Sequence, residues 1–94
     1  MDRDHAEIIA INGLSFIASN EKYLSHYIKL SGISLEQLQE GTSNPSTMPN
    51  ILASIIDFFL QNENYLIEFS EENHITPDQI AKTRIFFPGA NPNE

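Results

Sequence analysis

The chain repeats itself at an offset of 42 positions, and that echo constrains its fold more than any other feature. From Ile9 it reads IAINGLSFIASNEKYLSHYIKLSGISLEQL, and from Ile51 it reads ILASIIDFFLQNENYLIEFSEENHITPDQI. The identical pairs are Ile9/Ile51, Phe16/Phe58, Asn20/Asn62, Glu21/Glu63, Tyr23/Tyr65, Leu24/Leu66, Ile33/Ile75 and Gln37/Gln79. Leu14/Ile56, Tyr27/Phe69, Ser34/Thr76, Glu36/Asp78 and Leu38/Ile80 keep their chemistry. Two units are too few for a solenoid, which needs about three. One unit of about 40 residues is marginal by itself. The repeat therefore predicts a closed pair, each copy covering the apolar face of the other, with Tyr23 superposing on Tyr65 and Ile33 on Ile75.

Each copy reads as three helices. The first helix is expected over about Asp4–Ser19, with Asp4 as N-cap and Glu7 three residues on. Its polar positions Asn12, Ser15 and Ser19 fit an arc of about 60° at the helical period, and Asn50, Ser54, Asp57 and Gln61 do the same for a fourth helix over about Pro49–Gln61. Helices apolar over most of their circumference belong inside, so these two are expected to form a central pair.

The second and fifth helices open at Asn20 and Asn62, each a natural N-cap followed by Glu. Tyr23, Leu24, Tyr27 and Ile28 make the apolar stripe of the second helix, and Tyr65, Leu66 and Phe69 that of the fifth. Gly32 ends the second. Asn73 and His74 must end the fifth without a glycine, and Asn tolerates the left-handed conformation that such an end requires. Ser34–Gln37 and Thr76–Gln79 are capping boxes opening the third and sixth helices, the latter with Pro77 at its first position. Ile33 with Leu38, and Ile75 with Ile80, complete hydrophobic staples. The segment GTSNPSTMPN between the copies reads as linker. The phenylalanines of FFPGANPNE are expected to fold back on the core, and the tail, 90–94, to be disordered.

The expected architecture is thus all-α, a six-helix compact bundle built from two pseudo-repeated three-helix units (about 9–38 and 51–80) in a single helical domain, 1–94. Chains of this size bury enough surface for one core without staples. Cysteine is absent, which removes disulfides, thiolate nucleophiles and thiolate zinc sites. Five basic against 13 acidic residues give a net charge of −8, so the chain has little with which to displace counterions from phosphate. The acidic flanks of MDRDHAEIIAING do not read as a signal peptide, and the longest apolar runs are too short to span a bilayer. The expected location is cytoplasmic.

From Ala6 to Gly89 the order of motifs resembles a small alphaproteobacterial family of uncharacterised helical proteins, domain of unknown function 3572. The residues that carry the likeness are AEIIAINGLSFIA, the Leu24–Ile33 stretch ending LSGI, IIDFFLQNENYL, and the closing ITPDQI…PG. Asn20-Glu21 stands where the family pattern has Asp-Pro, and Asn73-His74 where it has a glycine. The resemblance implies an all-helical fold and supplies no activity, ligand or catalytic residue.

Candidate chemistry is sparse. Gly32-Ile33-Ser34 with Leu38 matches the turn of a helix-turn-helix, which keeps a degenerate DNA-binding regulator as the alternative reading. Its recognition helix would be LEQLQE, acidic where base and phosphate contacts want Lys or Arg. His5, His26 and His74 share no ligand spacing, so no metal or cofactor is expected. Asp57 is an acid on a largely apolar helix, where burial can raise a pKa, but its place in the polar stripe favours a hydrogen-bonded or solvent-facing carboxylate. At helical spacing, Tyr23, Tyr27, Tyr65 and Phe69 read as core.

The copies diverge in charge. Lys22, His26 and Lys29 line the outer face of the second helix, whereas Asn64, Glu68 and Glu71, joined by Glu72, line that of the fifth. Glu68, Glu71 and Glu72 are therefore the candidate partner-binding residues, for a basic protein partner or for self-association. The expected function is a small acidic protein-interaction module, not an enzyme, without nucleic acid or membrane as partner.

Overall fold

Seven of the 14 residues of one helix are buried, and the rest of the chain is arranged around it. The structure, a computed structural model, describes residues 1–89. Its helices are α1 (Arg3–Ala18), α2 (Glu21–Ser31), α3 (Leu35–Thr42), α4 (Met48–Gln61), α5 (Glu63–Glu72) and α6 (Pro77–Thr83), followed by a 3₁₀ turn at Arg84–Phe86. No strand occurs among the described residues, so the all-α expectation holds. The starts of α2 and α5, and of α3 and α6, keep the offset of the sequence repeat.

Helix α4 packs against every other helix and against the 3₁₀ turn. Ile55, Ile56 and Phe59 on α4 are fully enclosed, with Ile17, Tyr27, Phe69 and Ile80 around them. Burying one such side chain stabilises the fold by roughly 1.5–3 kcal/mol. The two helices expected as a central pair do pack on each other, but only α4 is enclosed on most sides. Helix α1 lies on the flank, and Ile8 and Ile11 are 58% and 42% exposed. The stripe that α1 does bury is narrow: Ala6, Ile9, Ala10, Gly13 and Ile17. Its small residues let α4 approach closely. A Cβ on Gly13 would lie 2.8 Å from Cε2 of Phe59 and 3.2 Å from Cγ2 of Ile55.

The caps follow local chemistry, with three corrections. Helix α1 is capped by Asp2, whose carboxylate accepts the His5 N–H at 2.8 Å, and Asp4 lies within the first turn. Asn20 caps α2 as expected, accepting from the N–H groups of Lys22 and Tyr23. Asn62 does not cap α5. It is the single residue between α4 and α5, and its side-chain amide donates to the Phe58 carbonyl at 2.8 Å, serving the end of α4. Gly32 takes the left-handed conformation at φ 76°. At the equivalent end of α5 it is His74 that does so, at φ 56°, while Asn73 donates its amide to the Phe69 carbonyl.

Both capping boxes are present. Ser34 and Thr76 each accept the backbone N–H of the glutamine three residues on, at 3.1 Å, and each glutamine returns the bond to the cap's own N–H. The linker is shorter than expected, Ser43–Thr47, because Gly41 and Thr42 complete α3 and Met48 begins α4. Phe87 folds back and is buried, and Phe86 is half-buried. The tail expected to be disordered lies outside the described residues.

Candidate functional site

Helices α2 and α5 share a surface seam made by their tyrosines. On each helix the aromatic one turn further on, Tyr27 or Phe69, is fully buried, which leaves Tyr23 and Tyr65 half-buried at the edge of the core. Their ring centroids are 4.6 Å apart. Phe16 supports Tyr23 from below at 5.4 Å, and Phe58 stacks on Tyr65 at 5.4 Å. The aromatic reading of the sequence is thus correct for Tyr27 and Phe69, whereas Tyr23 and Tyr65 carry their hydroxyls into the seam.

The polar contacts across it are reciprocal. The Tyr23 hydroxyl donates to the Glu68 carboxylate. The Tyr65 hydroxyl lies 2.9 Å from Nδ1 of His26, the tautomer deciding which donates. Residues 26 and 68, like 23 and 65, stand 42 positions apart, so each tyrosine bonds the residue three places after the other tyrosine. Tyr23 is level with Glu68 and His26 with Tyr65, so α2 and α5 run antiparallel. His26 is therefore turned into the seam, edge-on to Tyr65, and only Lys22 and Lys29 remain on the open outer face.

Two grooves flank the tyrosines. One, of 690 Å³, has Lys22 and His26 on one wall and Glu63, Asn64 and Glu68 on the other. The second, of 520 Å³, is walled by Glu68, Glu71 and Glu72 opposite Ser19 and Asn20, with Phe16 and Tyr23 as its floor. The structure thus brings the three candidate carboxylates to one wall, all exposed. The Tyr23 phenol is held above its ordinary value of 10.0, first by its hydrogen bond to Glu68, then by desolvation and by the negative charges of Glu68, Tyr65 and Glu72. Burial raises the Tyr27 phenol, and hydrogen bonds with Ser54 and Ser31 partly oppose it.

The model of a family described as protein of unknown function, DUF3572, matches residues 3–90. The chain belongs to that family. The DUF3572 match runs through all six helices and the 3₁₀ turn, so the seam lies within it. No curated protein and no solved structure matches the chain.

Asp57 is bound by the Arg84 guanidinium, Nε to Oδ1 at 2.7 Å and Nη2 to Oδ2 at 3.3 Å. Arg84 also donates to the carbonyls of Phe87 and Pro88, so Asp57 anchors the C-terminal turn. Among the described residues no three or more His, Asp or Glu side chains are grouped to hold a metal ion, and no helix is long and apolar enough to cross a membrane. The turn from α2 to α3 is a left-handed glycine leading into a capping box. What the sequence did not give is the Tyr23–Glu68 and Tyr65–His26 pairing. Its available signal was a conserved-size aromatic beside a position of opposite character in the two copies.

Proposed function

We propose that this protein is a non-catalytic protein-interaction module that binds a basic protein surface through Glu68, Glu71 and Glu72 of α5. One observation carries the reading. Glu71 and Glu72 occupy the last turn of α5, which has no basic residue. A helix C-terminus bears partial negative charge, so a carboxylate there costs about 0.3–1 kcal/mol. The first half of the chain places Lys29 and Leu30 at the equivalent positions, so the architecture does not require the acids. Residues that weaken their own helix without serving the core are explained by a partner that compensates them. Glu68 extends the same wall and is oriented by Tyr23. The reading involves no cofactor, and places the protein in the cytoplasm in keeping with a chain without cysteine.

The test is the triple variant Glu68→Gln, Glu71→Gln, Glu72→Gln. It should fold with equal or slightly higher thermal stability, and it should capture less partner from cell extract at low salt. Equal capture by variant and parent at low salt would overturn the reading.

A further inference from the structure

The acidic wall of α5 and the lysines of α2 lie side by side on one face, and a second copy of this chain is the surface that fits that face. We infer that the protein self-associates through the α2–α5 seam, the lysines of each copy meeting the carboxylates of the other. The inference rests on the reading above that α5 binds a basic protein surface, and it names that surface.

The argument is one of charge and register. A face-to-face pair of identical surfaces is related by a two-fold axis lying in the plane of contact. An axis running across the helices would set α2 over α2 and α5 over α5, carboxylate against carboxylate. An axis running along the helices sets α2 of one copy over α5 of the other, twice. Such an axis keeps every residue at its own level along the seam. Within one molecule Tyr23 is level with Glu68 and His26 with Tyr65. Lys22, one residue before Tyr23, therefore comes level with the interval between Glu68 and Glu71 of the other copy. Lys29, three residues after His26, comes level with Asn62 and Glu63. Lys22, Lys29, Glu63, Glu68 and Glu71 are all exposed, and among the described residues none of the five forms an ion pair. The 690 Å³ groove between the two helices leaves room for side chains of the second copy, and the exposed Ile67 at its edge offers an apolar contact.

The face is only two short helices wide, smaller than the roughly 800 Å² per partner of a standard interface. Association is accordingly weak and sensitive to salt.

Sedimentation velocity at rising protein concentration, at low and at high salt, tests the inference together with two charge-reversed variants. One carries Lys22→Glu and Lys29→Glu, the other Glu63→Lys and Glu71→Lys; neither touches the tyrosine contacts, and circular dichroism confirms that both fold. The parent should dimerise at low salt and dissociate at high salt. Each variant alone should stay monomeric, and an equimolar mixture should form the heterodimer. A parent that is monomeric throughout the low-salt series, or variants that dimerise alone as the parent does, would overturn self-association. In that event, capture of another protein that still depends on Glu68, Glu71 and Glu72 would leave the acidic-face reading standing.

Discussion

Helices α1 and α4 hold corresponding places in the two halves of the chain, yet only α4 is enclosed. Both are apolar over most of their circumference, and the difference is one of volume. The positions that α1 turns inward include Ala6, Ala10 and Gly13, and their equivalents on α4 are Met48, Leu52 and Ile55. A helix of small residues can bring its axis close to its neighbours, as α1 does to α2, α4 and α6, but fills little space among them. A helix of large residues reaches several neighbours at once, and α4 touches all of them. The comparison teaches that two runs with the same pattern divide the work of a core by side-chain size.

The largest test of this contrast is Gly13→Val. Phe59 has nowhere to go, being fully buried and stacked on Phe69 at 4.7 Å and 10°. Overpacking there should cost about 3 kcal/mol, read as a lowered denaturant midpoint. An unchanged midpoint would show that α1 and α4 are not in close contact at Gly13.

Next in size is Asp57, whose equivalent in the first half is the exposed Ser15. Asp57→Ala removes both carboxylate contacts to Arg84 and loosens the turn that buries Phe87, so it should cost about 1–2 kcal/mol. Ser15→Ala should fall within about 0.5 kcal/mol of the parent. Similar melting temperatures for the two variants would mean that Arg84 is not the anchor of the C-terminal turn.

The two asparagines give a smaller contrast. Asn20 accepts two N–H bonds at the start of α2, and Asn20→Ala should cost about 1 kcal/mol. Asn62 makes no such bonds, and its alanine variant should lose less than that. Thermal melts of the pair check the order, and a reversal would place the true cap of α5 at Asn62.

The smallest effect concerns Tyr23. Its phenol is raised in the folded state, so the stability it contributes is fully present below 10.0 and is lost as pH rises through the folded value. Tyr23→Phe should flatten this alkaline loss, and spectrophotometric titration should show one fewer late-ionising tyrosine. An identical alkaline profile in the variant would separate Tyr23 from Glu68.

Much of the fold was legible along the chain. Both capping boxes, the Asn20 cap and the left-handed Gly32 depend on bonds spanning two to four residues, and such bonds are written in the local sequence. Local signals also failed where two ends compete. One residue separates α4 from α5, and Asn62 gives its side chain to the end of α4 because it cannot serve both. The three carboxylates of the candidate site were legible as a charged face, since α5 was. Their groove was not, because its opposite wall comes from the other half of the chain.

By itself, then, the sequence determined which segments are helical, where most of them begin and end, and which stripe of each is apolar. Only the tertiary structure decided that α4 and not α1 is enclosed, that Asp57 meets Arg84 27 residues away, that His26 meets Tyr65 39 residues away, and that Tyr23 meets Glu68 45 residues away. The reason is that hydrophobic burial is non-directional: an apolar stripe fixes that a face will be covered, and the matching of side-chain volumes across the whole chain selects what covers it.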